Sequence, residues 1–103
     1  MLAAAASIVT VAVHGLVTVG PAICPTAAPC TKPAAHMLLI FSRKPSVRNG
    51  SVAMVWTDGR GRYSTTLLTG TWVVQAVRTL GTSPGKFSVR PAKSLTLNFK
   101  LTV

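Results

Sequence analysis

Two cysteines, two histidines and a single acidic side chain are nearly all the material for metal or acid–base chemistry in this 103-residue chain. The one carboxylate, Asp58, excludes any site built on paired side-chain carboxylates. It also excludes calcium cages fed by several acids. His14 and His36 have no carboxylate near them in sequence to orient them. The serines therefore lack the acid–His pair that would activate a nucleophile. No catalytic residue, cofactor or metal is expected.

Asp58 lies in TDGRG, beside Gly59 and Gly61. An Asp in such a run accepts backbone N–H groups across a turn, while glycines supply positive φ. The run lacks the Lys-Ser/Thr of a phosphate loop. Asp58, Gly59 and Gly61 are expected to build a turn.

Cys24 and Cys30 bracket CPTAAPC, with prolines at 21, 25, 29 and 33. Two cysteines in a Pro-stiffened loop close a disulfide when their Cβ atoms approach. A Cys24–Cys30 bridge and an oxidising compartment are the expectation. Zinc held with His14 and His36 is one alternative, although the spacing is unlike the usual C-x2-4-C pair. A pair of inert thiols is the other.

Eleven Lys and Arg against one acid give a formal charge of +10, yet the chain is 49% hydrophobic. That apolar content excludes intrinsic disorder. Placing short loops alternately at two ends of a sandwich divides the cations. Lys32, Arg60, Arg62, Arg78 and Lys86 fall near one end; Arg43, Lys44, Arg48, Arg90 and Lys93 fall near the other. Lys100 lies mid-strand. Such a field attracts polyanions without selecting among them. Arg43, Lys44, Arg48, Arg60, Arg62, Arg90 and Lys93 are the expected contacts to anionic polymers.

The elements that must position these residues are strands. LTLNFKLT at 95–102 places Leu95, Leu97, Phe99 and Leu101 on one face, which predicts one half-buried strand. TWVVQAVR at 71–78 alternates likewise, with Trp72, Val74 and Ala76 together, and GRYSTTL groups Tyr63, Thr65 and Leu67. SVAMVWT at 51–57 sets Val52, Met54 and Trp56 opposite Ala53 and Val55. Core packing is the expectation for both Trp56 and Trp72. HMLLIFS and GLVTV are apolar throughout, as central strands are, and KFSVR directs Phe87 and Val89 inward. Turn-forming runs separate these segments, and no stretch carries a 3.6-residue period. Seven short strands predict an all-β fold, a seven-stranded antiparallel β-sandwich in one domain.

Residues 2–13, LAAAASIVTVAV, are apolar and uncharged, and shorter than the about 20 residues of a spanning helix. They suit the centre of a secretory signal, without its basic start. Residues 1–13 are expected to be a signal-peptide remnant, and 14–103 the domain. No lipid-attachment motif precedes Cys24.

GLVTVGPAICPTAAPCTKPAAHMLLIF followed by VWTDGRGRYSTTLLTGTWVVQAV resembles the carboxypeptidase-regulatory-like, transthyretin-like (prealbumin-like) sandwich of small secreted bacterial proteins. Gly15, Val17, Gly20, Pro21, Cys24, Pro25, Cys30 and Pro33 match the first part of that pattern. Thr57, Asp58, Gly61 and Tyr63 match the second. Leu68, Gly70 and Trp72 match the third, with Thr69 in place of the usual Pro and Trp72 in place of the usual Tyr. The resemblance spans about residues 14–103 and implies a prealbumin-like topology and an accessory role.

One enzyme class of that architecture, the hydroxyisourate hydrolases, ends in Tyr-Arg-Gly-Ser; this chain ends Lys100-Leu101-Thr102-Val103. A Lys–Asn isopeptide bond, known in related surface domains, would need a lysine in GLVTV to meet Asn98, and there is none. The expectation is a non-catalytic secreted or envelope-associated binding module contacting anionic surface polymers. The alternative is a nucleic-acid-binding β-barrel, which requires aromatics exposed on a sheet face.

Overall fold

The computed structural model describes residues 9–21, 31–46 and 50–103. Ten strand segments follow one another: β1 Thr10–Gly20, β2 Lys32–Pro33, β3 Leu38–Lys44, β4 Val52–Trp56, β5 Arg62–Leu68, β6 Gly70–Ala76, β7 Gly81–Ser83, β8 Lys86–Val89, β9 Ser94–Thr96 and β10 Phe99–Thr102. There is no helix among the described residues. None there is long and apolar enough to cross a membrane.

The strands form two sheets. One has the order β4-β3-β6-β8, antiparallel throughout. The other is built around β1, which pairs with β5 and β2 on one side and with β9 and β10 on the other; β7 extends β10. Their inner faces meet in one core that includes Val11, Val13, Val17, Leu39, Phe41, Trp72, Val74, Phe99 and Leu101. The rings of Phe41, Tyr63, Phe87 and Phe99 pack at centroid separations of 5.6–6.0 Å, the spacing at which tilted and edge-to-face pairs attract.

The expected seven-stranded antiparallel sandwich needs correcting in strand count and direction. β1 runs parallel to β9 and β10, as Val13↔Leu95 and Val17↔Phe99 show. Side-chain alternation fixes which face is buried; it does not say which strand lies alongside, or in which direction.

The predicted 95–102 strand keeps its inward face but is interrupted between β9 and β10. The Leu97 N–H donates to the His14 carbonyl at 2.8 Å. The Leu16 N–H then donates to Asn98 Oδ1 at 2.9 Å, so a side chain stands in for the missing ladder carbonyl. The gap fits only because residue 15 is glycine. A Cβ there would lie 2.0 Å from the Leu97 carbonyl oxygen. β7 is another added segment, cut from the turn-like run LGTSPG and paired with β10.

The expected boundary after residue 13 cuts through β1. Val11 and Val13 are fully buried, and Thr10–Leu16 pair with β5. The domain therefore includes residues 10–13.

Candidate binding site

TDGRG carries the chain from β4 in one sheet to β5 in the other, and its only acid is consumed locally. Asp58 Oδ1 accepts the backbone N–H groups of Arg60 at 2.8 Å and Arg62 at 2.9 Å. Its other oxygen meets Arg62 Nε at 3.0 Å. The two backbone donors, Arg62's first, hold the carboxyl below its ordinary value. The Gly61 N–H returns to the Asp58 carbonyl, which puts the left-handed residue at Gly61, φ 79°. Gly59, expected to share that conformation, is not at positive φ; a turn closed this way needs only the residue after it to be left-handed.

Thr57, one residue earlier, is buried. Its hydroxyl accepts the Met37 N–H at 2.8 Å and donates to the Ala34 carbonyl. The Thr57 N–H donates to the Met37 carbonyl at 2.9 Å, and the His36 N–H reaches the Asp58 carbonyl at 3.3 Å. These bonds pin the turn before β3 against the end of β4. His36 is held there at φ 55°. Across the sheet, the Val77 N–H donates to the Leu38 carbonyl, and Arg78 follows at φ 66°. His36 and Arg78 are the two non-glycine residues at positive φ among the described residues. That conformation is uncommon for residues with a Cβ and is frequent at ligand clamps.

Both residues line one pocket. It holds about 320 Å³ and is bounded by His36, Met37, Leu38, Trp56, Val77 and Arg78. Trp56, expected in the core, is 65% exposed; Trp72, expected there too, is 1% exposed. In β4 the inward residues are Ala53 and Val55, and Val52, Met54 and Trp56 point out. Register with β3 places Leu38 opposite Trp56 and Ile40 opposite Met54. The outer face of this sheet is therefore apolar along β4, with a tryptophan at its end.

Sequence reasoning missed Trp56 and Arg78 as site residues. The phase of β3 carried a signal, because Leu39 and Phe41 point inward and direct the in-register residues of β4.

The expected polyanion contacts do not form one cluster. Arg60 sits in the turn directly after β4 and Arg62 at the start of β5, both at the Trp56 end. Lys44 pairs with Thr71, and Arg90 follows Val89, the partner of Gly70, so these two lie at the opposite end. Lys93 is exposed before β9. Arg43 is a correction. It is buried in phase with Leu39 and Phe41, with Nε on the Thr69 carbonyl at 3.0 Å and Nη1 on the Pro45 carbonyl at 2.7 Å. A polymer cannot reach it. Arg48, Cys24 and Cys30 lie outside the described residues.

No family model matches the chain, and no curated protein matches it. Among solved structures it is similar to a protein from Pseudomonas aeruginosa named a "putative carbohydrate binding protein", with a TM-score of 0.54 and 12% identity. The match covers 93% of this chain and 90% of the other. At that identity the likeness is one of fold.

Proposed function

We propose that this protein is a non-catalytic β-sandwich binding module of the cell envelope that takes carbohydrate against Trp56. The observation that carries this reading is an indole exposed at the end of a sheet, beside a pocket lined by Leu38 and Val77. A pyranose ring presents an apolar face of C–H groups that packs on an indole, while its hydroxyls stay in water or meet polar neighbours. The carbohydrate-binding name of the structural neighbour supports the same reading. The +10 charge adds long-range attraction toward anionic polymers.

The nucleic-acid alternative gains one exposed aromatic and no more. Of the six aromatic residues, Phe41, Tyr63, Trp72, Phe87 and Phe99 belong to the core or pack on it. Successive bases need successive rings; Trp56 serves one. A glycan array read with the wild type and Trp56→Ala tests the proposal. Retention of glycans by the wild type and their loss in the variant is the expected result. Equal retention by both would place the binding elsewhere.

A further inference from the structure

We infer that the Trp56 pocket selects an acidic sugar, a hexuronate whose ring lies on the indole and whose carboxylate pairs with Arg78. The inference rests on the carbohydrate reading above and narrows it to one substrate class.

Charge complementarity carries the choice. Arg78 and His36 are the two residues with basic side chains among those that line the pocket, and none of the lining residues is acidic. The chain's single acidic side chain is satisfied by Arg60 and Arg62 in its own turn. Neither the Arg78 guanidinium nor the His36 imidazole makes a hydrogen bond or ion pair with the described residues. Arg78 is exposed at the pocket, and its fork of donors has no partner among the described residues. A guanidinium matches a carboxylate with two parallel hydrogen bonds, which fixes orientation as well as charge. A neutral hexose offers only hydroxyls to that fork.

The backbone supports the placement. Arg78 and His36 flank the pocket from two different turns, each in the left-handed conformation that glycine adopts more readily. The His36 turn is tied by Thr57 and Asp58; the Arg78 turn is tied by the Val77 N–H on Leu38 and by Thr79 Oγ1 on the Ala76 carbonyl at 2.9 Å. Two conformations uncommon for such residues thus occur at two polar residues that border the same pocket as one exposed indole. A hexuronate uses all three: apolar ring face on Trp56, carboxylate on Arg78, and a ring hydroxyl within the surroundings of His36.

The matched probes are a trigalacturonate and its methyl ester, which share a ring and differ in charge. Each is titrated by isothermal calorimetry into the wild type, Trp56→Ala and Arg78→Gly at physiological salt, with inorganic polyphosphate as competitor. Glycine suits the left-handed position, so Arg78→Gly removes the side chain without straining the turn. The acid should bind the wild type about tenfold more tightly than the ester, the gain of one charge-assisted pair. Arg78→Gly should lose that preference and keep the ester's affinity, and Trp56→Ala should lose both ligands. Equal binding of acid and ester would overturn the uronate assignment while leaving the carbohydrate reading intact. If polyphosphate displaces the acid as well as it displaces itself, the preference is charge alone and the assignment is again overturned. If neither sugar binds, the uronate assignment is overturned, and the carbohydrate reading is decided by the glycan array.

Discussion

The Thr57 hydroxyl accepts the Met37 N–H at 2.8 Å from inside the protein, joining the end of β4 to the turn that carries His36. The same hydroxyl donates to the Ala34 carbonyl. Valine has the same shape and can do neither. Thr57→Val should lower stability by about 1–3 kcal/mol, because a buried donor and acceptor are left unpaired. Urea unfolding measures the loss, and hydrogen exchange at Met37 should quicken. Unchanged exchange would mean the turn is held by other bonds.

The two tryptophans should behave oppositely. Trp72 is buried, and its Nε1–H donates to the Leu68 carbonyl at 2.8 Å. Trp72→Ala should cost about 3–5 kcal/mol through the lost burial and the cavity left behind. Trp56→Ala should change stability by no more than about 0.5 kcal/mol. Acrylamide should quench the fluorescence of the Trp72→Phe protein strongly and that of Trp56→Phe weakly. The reverse order would mean the faces of β4 are assigned wrongly.

That contrast also marks what the sequence could and could not tell. In 71–76 Trp72, Val74 and Ala76 alternate with Thr71, Val73 and Gln75, two of them polar, and the buried face was legible. In 51–57 both faces are apolar, so β4 alone cannot say which is inward; size favours Met54 and Trp56, and the observed answer is Ala53 and Val55. Only the register with β3 decides it. Arg43 was misread for a related reason: charge suggested the surface, while its two-residue phase with Leu39 and Phe41 puts it inside. Asn98 acting as a ladder acceptor leaves no sequence pattern at all.

Gly15→Ala tests the gap between β9 and β10. The added carbon would sit 2.0 Å from a backbone oxygen, with no flexible side chain to yield. Tyr63, opposite Gly15 in β5, donates its hydroxyl to that same oxygen at 2.5 Å, so any shift disturbs two bonds. The variant should lose about 3 kcal/mol or more, at the upper end of overpacking costs. A thermal scan showing wild-type behaviour would refute this account of the gap.

Asp58 predicts an acid limb. Its native pKa lies below the unfolded value of about 3.9, so the folded state binds its proton less readily. The stability it contributes is present above about pH 4 and is lost as pH falls through the lowered native value. Urea midpoints from pH 6 to pH 2 should therefore decline in the wild type. Asp58→Asn should flatten that decline, since no other acidic side chain exists. An unchanged slope would assign the acid limb to groups other than Asp58.

Arg43 and Lys44 are adjacent in sequence and should separate in function. Lys44 is exposed at the end of β3, whereas the Arg43 guanidinium is buried on two backbone carbonyls beside Gly70, where a Cβ would come within 2.6 Å of Nε. Arg43→Met keeps much of the volume but removes both donors, and should cost about 2–3 kcal/mol, the range for hydrogen bonds from a charged group. It should leave polyanion binding unchanged, because no phosphate or carboxylate reaches the side chain. Lys44→Ser should leave stability within about 0.5 kcal/mol. It should also reduce the salt dependence of binding to a single-stranded oligonucleotide, used purely as a polyanion. Each lost cation contact releases one fewer counterion, and the log–log slope falls by about 0.7 per contact. Affinity measured across a salt series, with unfolding of both variants alongside, separates the two roles. A lower slope in folded Arg43→Met would show that the guanidinium reaches the polymer after all, and would reverse its assignment to the interior.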